Sequence, residues 1–205
     1  MTQTVAHRLS YPEYLALERT TGIRHEYLAG LVYAMAGGKP EHAALAGRVL
    51  SALSTALEGK PCTVYTSDLK IRINAADVST YADVAVVCGE LIRSDHDQRS
   101  ATNPVVVVEV TSDSSEGYDR GEKFAHYRHL EALRDYVLIS HRAERIEVYN
   151  RRAGEWVLRE AGRGGSVELE SVGVRLDVDA IYRNPFGGSL AETVLEAEQP
   201  KGNAP

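Results

Sequence analysis

Two valine-rich runs constrain the fold of this chain more than any other feature of its sequence. Residues 81–88 read YADVAVVC, and residues 104–111 read PVVVVEVT. Nearly continuous β-branched residues are typical of strands buried on both faces, since a strand with one face in water alternates apolar and polar side chains. Such strands need a layer of structure on each side. The runs therefore predict an α/β (α+β) architecture, with a central mixed β-sheet and helices packed against it.

Helical and extended segments surround these runs in the order helix, several strands, helix, several strands. Residues 41–58 repeat apolar side chains at helical spacing and predict the longest helix. Residues 119–130 predict a second helix, with Asp119 as N-cap and Glu122 at the capping-box position. Residues 10–18 predict a shorter helix. Further strands are predicted at 23–35 (two short strands), 62–73, 135–140, 144–150, 155–159 and 166–178.

Composition limits the class of protein. A chain of 205 residues with 43% hydrophobic and 25% charged residues is typical of a globular domain. We expect one domain over residues 1–185 and a flexible tail over 186–205. No apolar run reaches the roughly 18 residues of a membrane span, and no secretory signal is visible. Cys62 and Cys88 are too few for a disulfide framework or a four-thiolate zinc site, so a cytoplasmic location is expected.

Charged residues interrupt both valine runs. Glu109 lies inside one run, and Asp83 stands at the head of the other. A carboxylate in a buried strand is costly unless it is paired, protonated or bound to a cation. If the two strands are neighbours, the two acids meet, and a divalent metal is one way to keep both ionised. The alternative is two unrelated acids at strand ends, each bonded to loop amides.

Three further residues stand out by position. Lys123 lies angularly between Leu130 and Phe124 on the apolar stripe of its predicted helix, which directs its ammonium toward the sheet unless the side chain extends back to water. His42 lies on the apolar face of the long helix, in its first turn, where either an anion-binding role or a satisfied core histidine is possible. Glu26 falls within a predicted short strand and is by itself weak evidence for a functional site.

At these residues the sequence resembles the Uma2 family, a DUF820-like group of endonuclease-like bacterial proteins in the PD-(D/E)XK restriction-nuclease superfamily. The segments that carry the resemblance are YPEYLALE (11–18), HEYLAG (25–30), EH (41–42), YADVAVV (81–87), VVVVEVTSDSS (105–115), YDRGEKFAHYRHL (118–130) and LRDYVLIS (133–140). Each segment is weak alone. Together they lie in order and span most of residues 10–150.

The resemblance implies a restriction-endonuclease-like core, a mixed sheet flanked by helices with additional hairpins. It implies that Asp83 and Glu109 bind Mg²⁺ or Mn²⁺, with Glu26 as a possible further ligand. The superfamily's lysine two residues after the glutamate is replaced by Thr111, and the resemblance implies that Lys123 supplies it from the following helix. The proline that usually precedes the aspartate is Ala82, a minor departure. Lys70, on a nearby predicted strand, is the fallback lysine.

The resemblance also implies auxiliary active-site roles for Glu26 and His42. The expected function is metal-dependent hydrolysis of phosphodiester bonds in DNA. A net charge of −6 counts against this function, because nucleases that bind a groove usually present a basic face. A homodimer could concentrate the basic residues. Two alternatives stay open: a non-catalytic nuclease-fold module that acts in binding or assembly, and hydrolysis of RNA or another phosphate ester by the same site.

Overall fold

The computed structural model describes residues 8–35, 37–184 and 189–191. Its strands are β1 His25–Leu28, β2 Leu31–Ala34, β3 Cys62–Thr66, β4 Lys70–Ile73, β5 Val78–Tyr81, β6 Val84–Cys88, β7 Arg93–Ser94, β8 Asp97–Ala101, β9 Val106–Val110, β10 Asp135–Ile139, β11 Arg145–Arg152, β12 Glu155–Gly162, β13 Ser166–Leu169 and β14 Val174–Asp177. Within the described ranges they form two six-stranded sheets, in the orders β2-β1-β5-β4-β8-β7 and β12-β11-β10-β9-β6-β3, and the hairpin β13-β14.

The helices are α1 Tyr11–Thr21, α2 Pro40–Ala56, a 3₁₀ turn Asn74–Ala76, α3 Glu116–Tyr118, a π-helical segment Asp119–Lys123, α4 Phe124–Tyr127 and α5 Val178–Tyr182. The segments from α3 to α4 follow one another without a break, and residues 116–127 are called the site helix below. None of the helices in the described part of the chain is long and apolar enough to cross a membrane.

The second sheet carries the core on both faces, as the valine runs predict. β9 pairs with β10 in parallel and with β6 in antiparallel orientation, so the sheet is mixed. One face, with Val106 and Val108, packs against α2, α5 and the β13-β14 hairpin. The other face, with Val107 and Leu138, packs against the site helix and residues of the first sheet. Because side chains alternate along a strand, Glu109 shares the second face and points toward the site helix.

The second sheet is the predicted central mixed sheet, and the chain places its other long-range strand pairs in a further sheet that the sequence did not predict. The strand predicted over 62–73 breaks at a polar turn, in which the Thr66 hydroxyl accepts a hydrogen bond from the Asp68 amide. β3 then lies in the second sheet and β4 in the first. The strand predicted over 81–88 breaks at Ala82 and Asp83, and its two parts likewise join different sheets. Both crossings bring the first sheet against the second.

The predicted start of the second helix is wrong. Asp119 is not an N-cap, because its amide already donates a helical hydrogen bond of 2.8 Å to the Ser115 carbonyl. The helix begins three residues earlier, at Glu116, after a turn in which the amide of Ser112 donates to the hydroxyl of Ser115. Asp119 is therefore a buried residue in the interior of the site helix and not a residue at its start.

A disulfide joins Cys62 and Cys88, which lie directly opposite each other on β3 and β6. Two cysteines are too few for a framework of several bridges, but they are enough for this single bridge, which was not predicted from the sequence. Disulfides are rare in cytosolic proteins, so this bridge does not favour the cytoplasmic location, which stays a prediction.

The homodimer also stays a prediction. The predicted tail falls largely outside the described residues, at 186–188 and 192–205.

Candidate active site

A cluster of carboxylates surrounds Lys123 between the two sheets. Glu26 comes from β1, Glu109 from β9 and Asp119 from the site helix, and all three are buried. Asp83 belongs to the crossing segment between β5 and β6. The elements that supply these acids are far apart in sequence, and the crossing of the chain between sheets brings them together.

Lys123 is the common partner of this cluster. Its Nζ lies 2.8 Å from Glu109 Oε1, 3.6 Å from Glu26 Oε1 and 3.9 Å from Asp119 Oδ1. It also donates to the carbonyl of Tyr81 at 3.4 Å. The residue is only 7% exposed. The ammonium therefore faces the sheet, as its place on the apolar stripe predicts, and does not extend to water.

The pairing of β6 with β9 fixes the position of the Asp83 carboxylate. β6 pairs with β9 through Val84 and Val108, so Ala82 would be the next partner of Val110. The chain turns away at that point, and Asp83 Oδ2 accepts the Val110 amide instead, at 2.7 Å. A side chain thus replaces a backbone carbonyl at the end of the ladder. This substitution places the carboxylate beside Glu109, one residue away on β9.

His42 reaches the same carboxylate from the first turn of α2. Its Nε2 lies 3.3 Å from Asp83 Oδ2. The hydrogen bond with Asp83 raises the pKa of His42, against the lowering effect of burial. The imidazole is therefore more readily protonated than a free histidine, and its charge offsets that of Asp83. His42 is thus a partner of the acid cluster and not an isolated core histidine.

Each of three acids keeps one oxygen available. The contacts of Asp83 engage Oδ2, those of Glu26 engage Oε1 and those of Glu109 engage Oε1. Their second oxygens make no hydrogen bond with the described residues. Glu26 accepts from the Thr80 hydroxyl, and Glu109 accepts from the Tyr127 hydroxyl at 2.9 Å. The protein thus orients each of these acids through one oxygen, and the other oxygen has no hydrogen-bond partner among the described residues.

The charge balance of the cluster favours a cation. Four carboxylates face one lysine and one histidine, so negative charge is in excess when all of them are ionised. Burial raises the pKa of Glu109 well above its usual value; Lys123 lowers it, and the Asp119 and Asp83 carboxylates raise it further. Burial also raises the pKa of Asp119. A divalent cation would reverse these shifts by stabilising the ionised forms.

The donor set suits a metal that retains water. Among the described residues no three His, Cys, Asp or Glu side chains converge closely enough to hold a metal ion by themselves. Mg²⁺ is usually bound by one or two carboxylates, with waters and substrate phosphates completing the octahedron. Asp83 and Glu109 fit that pattern. A fully protein-ligated site, such as structural zinc requires, does not fit.

Two residues that the sequence singled out lie elsewhere. Lys70 is buried, but its Nζ contacts Glu18 at 2.5 Å and Asp97 at 3.0 Å, so it belongs to a separate charged cluster. Thr111, where the superfamily's lysine is expected, is fully buried, and its hydroxyl lies 2.9 Å from His141 Nδ1. Thr111 has no ammonium group, and the ammonium of Lys70 pairs with acids other than Glu109.

Sequence reasoning missed two members of the site. Asp119 was assigned to capping because D-x-x-E at a helix start is a local signature of an N-terminus. Tyr127 is an aromatic residue of the same helix, and periodicity alone does not predict that its hydroxyl donates to Glu109. A signal for both exists, since Asp119, Lys123 and Tyr127 are spaced four residues apart and therefore share one helix face.

Comparison with known proteins identifies the family. A profile of the Uma2 family, described as "Putative restriction endonuclease", matches residues 11–179, which is most of the chain. The chain belongs to the Uma2 family. All of Glu26, His42, Asp83, Glu109 and Lys123 fall inside the matched range. Uma2 membership confirms the resemblance drawn from the sequence segments.

Two similar proteins occur in Synechocystis sp.. The uncharacterized protein slr1290 is 38% identical over 177 residues, covering 86% of this chain and 92% of the relative. The uncharacterized protein sll1609 is 29% identical over 163 residues, covering 79% of this chain and 92% of the relative. The similarity therefore extends over nearly the whole length of both relatives.

A solved structure shares the fold. The crystal structure of a putative nuclease belonging to DUF820 from Anabaena variabilis superposes with a TM-score of 0.69 and 16% identity. The match covers 84% of this chain and 97% of that chain. At this identity the likeness shows the fold alone. It confirms the nuclease-like α+β architecture predicted for the Uma2 chain.

Proposed function

We propose that this Uma2 protein is a metal-dependent endonuclease that hydrolyses phosphodiester bonds of DNA. Asp83 and Glu109 would hold Mg²⁺ or Mn²⁺, and Glu26 would be a further ligand or a base. The observation that carries the proposal is the position of Lys123, whose ammonium lies 2.8 Å from Glu109 Oε1, while Glu109 and Glu26 each keep one oxygen without a hydrogen bond to the described residues. The family's description as a restriction endonuclease supports the same function.

The cation, when bound, would polarise the phosphodiester and lower the pKa of the attacking water. The chain's own groups perform the other tasks. Lys123 stabilises the negative charge that grows on the phosphate oxygens, because its buried ammonium acts in a medium of low polarity. Glu26 accepts a proton from the attacking water as the new P–O bond forms and the P–O bond to the leaving sugar breaks. The departing oxygen takes its proton from solvent.

His42 and Tyr127 orient the acids. His42 and the Val110 amide both contact Oδ2 of Asp83, so the aspartate is held through that oxygen and presents Oδ1 for the cation. Tyr127 donates to Glu109 Oε1 and leaves Oε2 available. Charge-assisted hydrogen bonds of this kind hold carboxylates in place more firmly than neutral ones.

Two observations favour the second candidate, a non-catalytic module that acts in binding or assembly. Glu109 is satisfied by Lys123 and Tyr127 without any cation, and a satisfied buried pair needs no ligand. The acidic net charge of −6 points the same way. A module of this kind would show no Mn²⁺ affinity that depends on Asp83.

Cation binding and cleavage, measured together, test the proposal. Isothermal titration of the full chain with Mn²⁺ should detect binding that Asp83→Asn weakens at least tenfold. Cleavage of a DNA duplex should require the metal and be lost in the same variant. Glu170→Gln is the matched control, because it removes an exposed carboxylate that pairs with Arg152 far from the cluster. Metal-dependent cleavage that survives in Asp83→Asn would refute the assignment.

A further inference from the structure

Strand β12 forms the longest open edge of the two six-stranded sheets. It runs from Glu155 to Gly162, and on its outer side it pairs with no strand of the described residues. The other end strands, β2, β3 and β7, have only two to five residues. Val157 and Leu158 on β12 are 37% and 48% exposed. A long edge with exposed apolar residues is a template for pairing with another chain, and proteins usually shorten or protect such edges.

The backbone groups that point outward from β12 belong to Trp156 and Leu158. On β11, the Arg151 amide donates to the Arg134 carbonyl at 2.7 Å, on the side away from β12. Trp156 lies opposite Arg151 and is therefore in a non-hydrogen-bonded pair, as is Leu158 two residues later, because the two kinds of pair alternate along an antiparallel ladder. The amides and carbonyls of these two residues consequently face away from β11, where a further strand would lie.

The side chains of β12 complement a second copy of the same strand. In an antiparallel pair about a two-fold axis at Val157, Glu155 would lie opposite the partner subunit's Arg159. Symmetry would repeat this ion pair on the other side of the axis. Trp156 would lie opposite the partner subunit's Leu158, so the outward backbone groups of these two residues could exchange both hydrogen bonds. Opposite charges at facing positions stabilise a pair of strands, and like charges destabilise it.

The adjacent registers of the same strands do not pair opposite charges. An axis at Leu158 would place Val157 opposite the partner subunit's Arg159. An axis at Arg159 would place two arginines opposite each other, and an axis at Trp156 would place Glu155 opposite the partner subunit's Val157. The charges of β12 therefore favour the register centred on Val157.

We propose that this protein forms a homodimer through β12, in which the two strands pair antiparallel about Val157 and join the second sheets of both copies into one. The proposal gives the predicted homodimer a specific interface, and it does not depend on nuclease activity. Trp156 connects this interface to the site helix, because its ring contacts that of Phe124 at a centroid distance of 5.2 Å. A two-fold axis perpendicular to the sheet places both site helices on the same face of the joined sheet.

Charge reversal on each side of the proposed ion pair tests both the interface and its register. Sedimentation analysis of the wild-type full chain should show a dimer. Glu155→Arg and Arg159→Glu each place like charges opposite each other twice, so each variant alone should dissociate at least tenfold more readily. In an equimolar mixture of the two variants the dimer should return, because one ion pair then keeps its native charges and the other is reversed on both sides.

Two comparisons control this experiment. Arg99→Glu reverses an exposed charge on β8 of the first sheet and should leave the dimer unchanged. Arg159 also contacts Glu170 within its own subunit, at 2.8 Å, and its side chain is 43% exposed. The mixture controls for the loss of that contact, because the Arg159→Glu chain lacks it both alone and in the mixture.

Hydrogen exchange of backbone amides gives a second readout. The amides of Trp156 and Leu158 should exchange more slowly in the wild-type dimer than in Arg159→Glu, whereas the Val157 amide, which points toward β11, should exchange slowly in both. Wild type that stays monomeric at high micromolar concentration would overturn the proposal. Dimers that persist in both single variants would place the interface on another surface, and a mixture that stays monomeric would show that the register is wrong; either result also overturns the proposed interface.

Discussion

The ammonium of Lys123 lies 2.8 Å from Glu109 Oε1, although the two residues come from a helix and a strand that are separate in sequence. The resemblance to PD-(D/E)XK enzymes implies a lysine two residues after the glutamate. In that position this chain has Thr111, which is buried and engaged by His141. The ammonium that lies beside Glu109 is instead that of Lys123, from the site helix.

Lys123 and Lys70 are a matched pair of buried lysines with different expected roles. Lys123→Met and Lys70→Met should each destabilise the metal-free protein by about 3 kcal/mol, because each leaves buried carboxylates without their partner. Only Lys123→Met should abolish duplex cleavage. Urea unfolding and a cleavage assay on folded protein check both statements. Loss of cleavage in folded Lys70→Met with activity retained in Lys123→Met would reverse the assignment.

The buried Asp119 should make the metal-free protein less stable as pH rises. Burial raises the pKa of Asp119 above its ordinary 3.8. The folded state then holds a proton that the unfolded state has lost, so stability falls between pH 3.8 and the raised pKa. Asp119→Asn should remove this contribution, up to about 1.4 kcal/mol per pH unit. Urea unfolding of wild type and Asp119→Asn in EDTA across pH 4–7 measures the free energy of unfolding of each protein. If the two free energies change with pH in the same way, Asp119 makes no such contribution.

His42 should titrate above the ordinary histidine value. Its hydrogen bond with Asp83 raises the pKa of the imidazole above 6.5, against the effect of burial. The stability that this contact contributes is present below pH 6.5 and is lost as pH rises through the folded-state value. NMR titration of the His42 ring in EDTA should show the raised pKa, and Asp83→Asn should lower it. A wild-type value at or below 6.5 would show that the contact is absent in solution.

The Cys62–Cys88 bridge should stabilise the folded state. It closes a loop with a sequence separation of 26 residues, and chain-entropy arguments give about 3 kcal/mol for a loop of that size. The double variant Cys62→Ser, Cys88→Ser should unfold at correspondingly lower urea concentration, and reductant should have the same effect on wild type. Thiol titration of unreduced, denatured protein should find no free thiols. Two free thiols would mean that the bridge does not form.

Some of the site follows from local sequence, and some depends on pairing over long distances. The valine runs predict that Asp83 and Glu109 meet if their strands are neighbours, and the pairing of β6 with β9 meets that condition. The apolar stripe likewise predicts that Lys123 faces inward. Glu26 differs, since it reaches Lys123 through the antiparallel pairing of β1 with β5, which no local pattern specifies.

The division into two sheets escaped prediction for a related reason. Periodicity identifies a strand but does not say which sheet it joins, so the segments 62–73 and 81–88 each read as a single strand. The turn at Thr66 is a local contact with the Asp68 amide that periodicity does not detect, and the hydrogen bond from the Val110 amide to Asp83 depends on the assembled fold. The disulfide depends on the same register, because it needs Cys62 and Cys88 directly opposed.

The most direct test of a metal centre on Asp83 and Glu109 is anomalous diffraction from crystals soaked in Mn²⁺. The account predicts a peak within roughly 2.0–2.3 Å of a carboxylate oxygen of each residue, and none in Asp83→Asn crystals treated alike. Lys123 should remain directed at the same space. The absence of a peak in wild-type crystals, with Glu109 still held by Lys123 and Tyr127 and Asp83 by the Val110 amide, would contradict the account and favour the non-catalytic module.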